Sequence, residues 1–261
     1  MTSLTEGNQV ASDLSLWTHV DLSYYPLCLN QYTVPNSLSS HLRSAKCLTI
    51  STRSPYYPLL LKEIFMLAYE SPRLTSLCLP SAVDVTEDFL IDFFKTTKGT
   101  LKYCDLSFCR QIGSQPIHTL IEYHPKIQYL NLSHTSFTDD GLLELHRLSD
   151  LEELSLQGCF SLTRTSMSNF LQHSFPPRLS KLNLSYLFTV VGEWLAHVPS
   201  NVKFERLDIR YTEGITKKDV QELKRRWGTG CIVLENAKLE NDDEIGWVRY
   251  VEEITETTVV S

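Results

Sequence analysis

Cysteine is the residue type in this sequence that could act most directly in chemistry, as a nucleophile or as a metal ligand. The 261 residues include seven cysteines, with no Cys-x-x-Cys pair and no Cys/His spacing typical of zinc sites. A nucleophilic thiol needs an exposed, electropositive setting. Cys104, Cys109 and Cys159 instead stand within or directly after runs of regularly spaced leucines. We interpret them as small buried residues, and we expect no catalytic site, no metal and no cofactor.

An acidic stretch near the C-terminus partly matches a calcium-binding loop. Asn241, Asp243, Gly246 and Glu252 have the spacing of ligand and turn positions in such a loop. Ile245, however, stands where the loop needs an oxygen ligand. We therefore favour an acidic capping segment over a calcium site.

Composition narrows the class of protein. The hydrophobic share of 42%, the charged share of 21% and the net charge of -7 are typical of an ordinary globular protein and argue against a nucleic-acid binder. No apolar run approaches the roughly 20 residues that a membrane span requires, and the N-terminus lacks the features of a signal peptide. Together with unpaired cysteines, this predicts a monomer in the cytoplasm, the nucleus or both.

A repeated spacing of leucines, L-x-x-L-x-L, predicts the elements that position these residues. Around Leu130 and Leu132 the apolar spacing is that of a strand, and from Leu142 to Leu148 it is that of a helix. Copies of the frame begin at residues 17, 45, 74, 101, 127, 151, 179 and 204, so that successive starts are 28, 29, 27, 26, 24, 28 and 25 residues apart.

This period lies within the roughly 20–29 residues of leucine-rich repeats. The sequence therefore predicts an α/β leucine-rich-repeat solenoid, with a curved parallel sheet on the concave face and helices on the convex face. We expect a flexible segment at 1–15, the repeat domain at 16–234 and an acidic cap and tail at 235–261. Helices are predicted at 87–96, 115–123, 140–148, 165–172 and 217–226, with Thr86, Thr138, Thr163 and Thr216 as N-caps.

The residues between the frame leucines point out of the concave sheet. One column of them holds large and charged side chains of the kind that anchor interfaces, with Lys181 and Arg206 as a positive end. The alternative is that the column is simply solvated. The partner-binding residues predicted from this column and its C-terminal end are Tyr103, Tyr129, Glu153, Lys181, Arg206 and Arg210.

Several segments of the sequence resemble those of one group of repeat proteins. The frame ends in cysteine at Cys109 and Cys159, and an apolar residue follows each at Ile112 and Leu162. The line at 16–23, L-W-x-x-V-D-L-S in outline, has the form that commonly follows an F-box. The chain thus resembles the cysteine-containing leucine-rich-repeat proteins of the F-box type.

The resemblance implies the substrate-recognition part of a ubiquitin-ligase adaptor, which is not an enzyme itself. The 16 residues before Trp17 are too few and too polar for an F-box, so we expect this chain to lack one. A Skp-type adaptor is then expected as a partner only if an F-box lies upstream. The alternative function is a scaffold or complex-assembly factor without a link to ubiquitin. In both cases the expected partner is another protein, bound through the concave face.

Overall fold

A computed structural model of the chain describes residues 18–21, 45–49, 73–97, 99–188, 198, 202–212, 215–228 and 232–233. Nine short strands in these ranges form one sheet, in which every strand pairs in parallel with the next strand along the chain. The strands are β1 (His19–Asp21), β2 (Cys47–Thr49), β3 (Ser76–Cys78), β4 (Tyr103–Asp105), β5 (Tyr129–Asn131), β6 (Glu153–Ser155), β7 (Lys181–Asn183), β8 (Arg206–Asp208) and β9 (Ile232–Val233).

The register of this sheet follows the leucine frame without a slip. Leu130 lies opposite Leu154, and Leu154 lies opposite Leu182. Because side chains alternate along a strand, this register sends every frame residue to the same side of the sheet. The predicted leucine-rich-repeat solenoid is confirmed, including strand β1 within the line around Trp17, although Trp17 itself lies outside the described residues.

Helices follow five of the strands on the convex face. They are α1 (Glu87–Thr97), α2 (Ser114–Tyr123), α3 (Asp139–Glu144), α4 (Arg164–His173) and α5 (Lys217–Trp227), with a 3₁₀ turn at Leu145–Arg147 directly after α3. Each lies where the sequence predicts a helix. None of these described helices has the length and apolar character that a membrane span would need.

One helix differs in form from its prediction. The helical pattern predicted at 140–148 is an α-helix only to Glu144, and it then tightens, with the Leu148 amide donating to the Leu145 carbonyl at 3.0 Å. The repeat that starts at residue 127 is the shortest, at 24 residues. A 3₁₀ turn rises about 2.0 Å per residue against about 1.5 Å in an α-helix, so fewer residues return the chain to the sheet.

The core is one continuous stack between the sheet and the helices. The frame residues of successive strands are buried, and Cys104 takes a leucine position among them with no exposed surface. From the helices, Phe93, Phe94 and Phe170 fill the convex side. Each repeat covers the apolar face of its neighbour, which is why a single copy would not be stable alone.

The cysteines that end the frame connect neighbouring repeats. The Cys109 thiol donates to the Leu79 carbonyl and the Cys159 thiol to the Leu132 carbonyl, each at 3.0 Å and each to the preceding repeat. Both thiols are buried, and burial raises the pKa of each to about 11. The interpretation of these residues as buried and structural therefore agrees with their environment.

We expect the thiols of Cys104, Cys109 and Cys159 to resist alkylation in the native protein. Their burial keeps them protonated and out of contact with the reagent, whereas Cys47 and Cys78 are half-exposed on the concave face. Iodoacetamide labelling followed by peptide mass spectrometry should show a rate roughly a hundredfold lower at Cys159 than at Cys47. Denaturant should remove the difference. Equal native rates at the two residues would show that the Cys159 site is open.

A side chain of one repeat also hydrogen-bonds to the N-terminus of the helix in the next repeat. Thr163 caps α4 by accepting from the Ser166 amide at 3.2 Å, and Asp139 of the preceding repeat accepts from the Thr163 amide at 2.9 Å. Thr216 forms a complete capping box with Asp219 at α5. Thr138 differs from its prediction, because its hydroxyl donates to the Asp140 carboxylate and caps no backbone amide.

Candidate functional site

Five of the six residues predicted to bind a partner form one continuous column across the concave face. The strand register places Tyr103 beside Tyr129, Tyr129 beside Glu153, Glu153 beside Lys181 and Lys181 beside Arg206. Neighbouring strands in a sheet lie about 4.8 Å apart, so these side chains are in reach of one another. The leucine frame thus brings together residues separated by up to 103 positions in the sequence, from Tyr103 to Arg206.

The tyrosine end of the column is an ordered aromatic pair. The rings of Tyr103 and Tyr129 stack with centroids 3.9 Å apart and planes 3° from parallel. Burial, followed by the hydrogen bond between the two phenol groups, raises the pKa of Tyr103, and burial also raises the pKa of Tyr129. The pair is therefore neutral at physiological pH. It presents rigid aromatic surface that needs little further ordering to bind.

The charged end of the column is neutralised by its own neighbours. Lys181 Nζ lies 3.7 Å from Glu153 Oε2 and 4.0 Å from Glu205 Oε2. Arg206 Nη2 lies 3.8 Å from Asp208 Oδ2. The sequence predicted a positive end from Lys181 and Arg206. In the structure, Glu153 of the same column and Glu205 and Asp208 of adjacent columns offset part of this charge.

Arg210 stands apart from the column, in the turn after β8. Its guanidinium donates to both oxygens of Asp208, with Nε 2.9 Å from Oδ1 and Nη2 2.8 Å from Oδ2. The Asp208 carboxylate is almost fully buried, at 1% exposure for the residue. A bidentate pair that neutralises a buried charge serves the fold first. Arg210 still lines a shallow depression of about 230 Å³ together with Tyr129 and Lys181.

The second outward column of the sheet is occupied by bonds within the fold. Asn131 accepts from the Ser133 amide at 3.0 Å, and Asn183 accepts from the Ser185 amide at the same distance. Asp105 accepts from the Ser107 amide at 2.8 Å in the same way. These short polar residues fix the turn that follows each strand. Their polar groups are therefore largely used before any partner arrives.

A depression of about 550 Å³ lies along the tyrosine and charged residues of the column. Most of its remaining wall comes from residues that directly precede the strands, a third column that the sequence prediction left out. The pattern would have revealed them, since they share one position in the leucine frame. The additional lining residues are Lys102, Gln128, Glu152, Arg178, Ser180 and Glu205.

The groups at this surface can form hydrogen bonds, ion pairs and aromatic contacts. Three basic and three acidic side chains line the larger depression beside the stacked rings, so that no strong field of one sign results. Within the described residues, no group of three or more His, Cys, Asp or Glu side chains has the arrangement of a metal site. Tyrosine is enriched in the cores of protein interfaces, and charged residues around it are typical of an interface rim.

The sheet of parallel single-repeat strands, backed by helices, defines a leucine-rich-repeat protein. Among solved structures, the chain is similar to a chain of the yeast Rad7 and Elc1 complex, with 20% identity, coverage of 83% of this chain and 56% of that chain, and a TM-score of 0.57. It is also similar to the leucine-rich repeat-containing protein LegL7 from Legionella pneumophila, with 16% identity, coverage of 85% and 83%, and a TM-score of 0.53.

The alignment spans little more than half of the matched chain in the yeast complex. No protein-family model matches the sequence, and no curated protein matches it. At these identities the likenesses show the fold alone.

Proposed function

We propose that this chain is a protein-recognition module whose partner binds the concave face over the Tyr103–Tyr129 pair. The observation that carries the proposal is the stack itself, an ordered pair of aromatic rings that lines a 550 Å³ depression. Aromatic side chains of this kind supply much of the binding energy in protein interfaces. In the neighbouring column, Asp105, Asn131 and Asn183 are bonded within the fold, whereas the tyrosine column offers aromatic surface.

The finer proposal is substrate recognition in a ubiquitin-ligase adaptor of the F-box/LRR type. It is supported by the cysteine-ended repeats and by similarity to a chain that was solved in a complex of two proteins. The alternative is a scaffold or assembly factor with no link to ubiquitin. Ubiquitin-ligase subunits among the proteins that co-purify with the full-length gene product would favour the adaptor, and a single stoichiometric partner without them would favour the scaffold.

We expect the double change Tyr103→Ala/Tyr129→Ala to weaken partner capture roughly tenfold or more, because it removes the aromatic surface. The measurement is quantitative affinity purification from cells with tagged wild type and variant. Tyr123→Ala is the matched control, since Tyr123 ends α2 on the convex side and is also partly exposed.

The variant must first show an unchanged far-ultraviolet circular dichroism spectrum and a thermal midpoint near that of wild type. If partner capture then survives the double change and is lost with Tyr123→Ala, the concave assignment is wrong. If truncation after Leu239 abolishes capture while the tyrosine pair has no effect, the C-terminal segment is the recognition element.

A further inference from the structure

A second ordered surface lies along the edge of the sheet where the strands end. In six successive repeats, the second residue after the last apolar residue of the L-x-x-L-x-L frame takes the left-handed backbone conformation. In the first five of them its amide donates to a carbonyl of the next repeat, as from Phe108 to Ser133 at 2.7 Å. The φ values are 61° at Ser81, 62° at Phe108, 56° at His134, 61° at Gly158, 61° at Tyr186 and 56° at Tyr211.

Glycine is the residue that takes this conformation without a steric penalty, yet only Gly158 uses it here. Two other repeats place phenylalanine or histidine there, and two place tyrosine. Of these rings, Phe108 is exposed and His134 is partly exposed.

Four rings form a row, which we call the aromatic edge: Phe108 and His134 at the left-handed position, and Phe160 and Phe188 two residues beyond it in their repeats. Phe108 stacks on His134 at 4.5 Å between centroids, His134 meets Phe160 at 6.3 Å, and Phe160 lies parallel to Phe188 at 6.0 Å. The three phenylalanines remain 44%, 62% and 53% exposed. Stacking within the row therefore leaves about half of each ring in water.

The distances between neighbouring rings of the row favour an extended partner segment over a polyproline helix. An extended segment presents every second side chain on one face, about 6.6 Å apart. This matches the steps of 6.3 and 6.0 Å from His134 through Phe160 to Phe188. A polyproline helix repeats about every 9.3 Å and does not match successive rings. An extended segment of about six residues is long enough to cover the row.

The positive charge of Arg110, near one end of the row, further restricts the chemistry of the partner. Arg110 is exposed, two residues after Phe108, and forms no ion pair within the described part of the chain. Its positive charge adds to burial in lowering the pKa of His134, so that the imidazole is neutral and the row is uncharged beyond Arg110. An acidic group on the partner would be complementary to Arg110.

We propose that the aromatic edge binds an extended peptide segment of another protein, with apolar side chains at every second residue and an acidic residue facing Arg110. This surface lies outside the tyrosine column and does not depend on it. Apolar side chains of the segment pack against the exposed rings of Phe160 and Phe188 and against the partly exposed ring of His134. The carboxylate pairs with Arg110 and sets the direction of the segment along the row.

The test is selection of a random peptide display library, of about 12 residues per peptide, against the purified full-length chain. The enriched peptides should alternate apolar and polar residues and carry an Asp or Glu near one end. Their synthetic forms, measured by fluorescence polarisation, should bind Phe160→Ser/Phe188→Ser roughly tenfold or more weakly. Arg110→Glu should weaken acidic peptides and leave their Asp→Asn or Glu→Gln forms much less affected.

Val83→Ser is the matched control, because Val83 is 60% exposed on the same edge but outside the row of rings. The Tyr103→Ala/Tyr129→Ala variant should bind the peptides like wild type, which separates this proposal from the concave-face function. The proposal is overturned if no sequence is enriched, if enriched peptides are proline-rich, or if they bind the phenylalanine variant as tightly as wild type. A dimer in size-exclusion chromatography that the phenylalanine changes disrupt would assign the row to a second copy and also overturn it.

Discussion

Replacing Leu154 by alanine is expected to lower the free energy of unfolding by about 2–5 kcal/mol. Leu154 is fully buried in the middle of the sheet, between Leu130 and Leu182 on the neighbouring strands. Truncation leaves a cavity that neither neighbour can fill, because the strand register fixes both. Urea denaturation monitored by circular dichroism measures the change.

The same substitution at Leu143 is the control, because Leu143 is 36% exposed on α3. We expect a loss there of less than about 1 kcal/mol. A loss below about 0.5 kcal/mol at Leu154 would show that the leucine frame does not form the core.

His124 is expected to be the second large stability site, with His124→Ala lowering the free energy of unfolding by about 3–5 kcal/mol. The residue is fully buried. Its Nδ1 accepts from the Leu101 amide at 3.3 Å, and its Nε2 lies 3.0 Å from the Phe94 carbonyl, to which it must donate. The imidazole thus connects the last turn of α1 to Leu101, where the next repeat begins. Alanine leaves a buried donor and a buried acceptor without partners.

The protonation state of His124 gives this site a pH dependence. Burial lowers the pKa of His124 below its ordinary value of about 6.5. Above about pH 6.5 the residue is neutral in both states, and its bonds contribute fully. As pH falls below about 6.5, the unfolded chain takes up a proton that the folded chain does not, so that stability is lost until pH passes the folded pKa.

His118 acts in the opposite direction and determines how the effect must be measured. Burial would lower the pKa of His118, but hydrogen bonds to Asp140 and Glu144 outweigh it and raise that pKa. Its contribution is present below about pH 6.5 and is lost as pH rises through the folded pKa. The stability difference between wild type and His124→Gln removes this background. That difference should shrink between about pH 7.5 and 5.5, and a constant difference would contradict a neutral buried His124.

The sequence alone was sufficient to predict the strands, their register and the buried face. The spacing L-x-x-L-x-L repeats at nearly constant length, and only stacked parallel strands bury such a pattern. Residues that share a position in the frame must then be neighbours, which is why the column from Tyr103 to Arg206 was predictable. Helix positions followed from the switch of apolar spacing after each strand.

Only the tertiary structure shows which ion pairs and contacts those neighbouring side chains form. Lys181 and Arg206 are basic in the sequence, but Glu205 and Asp208 come within ion-pair distance and offset part of the expected positive charge, since Asp208 is also paired with Arg210. The 3₁₀ turn after α3 likewise depends on how many residues remain to reach the next strand. The contact between Lys181 and Glu205 lies between two repeats, and the order of residues in one repeat does not contain it.

The aromatic edge shows the same limit most clearly. Phe108 and His134 share one position in the frame, but Phe160 does not, because Gly158 occupies that position in its repeat. A Cβ at Gly158 would overlap the His134 imidazole, so glycine leaves space for that ring, and Phe160 contacts it from two residues further on. The period of the sequence determined which backbone atoms stack. The left-handed backbone and the volumes of the side chains determined which rings are in contact at the surface. Such contact depends on distances in three dimensions and not on spacing along the chain.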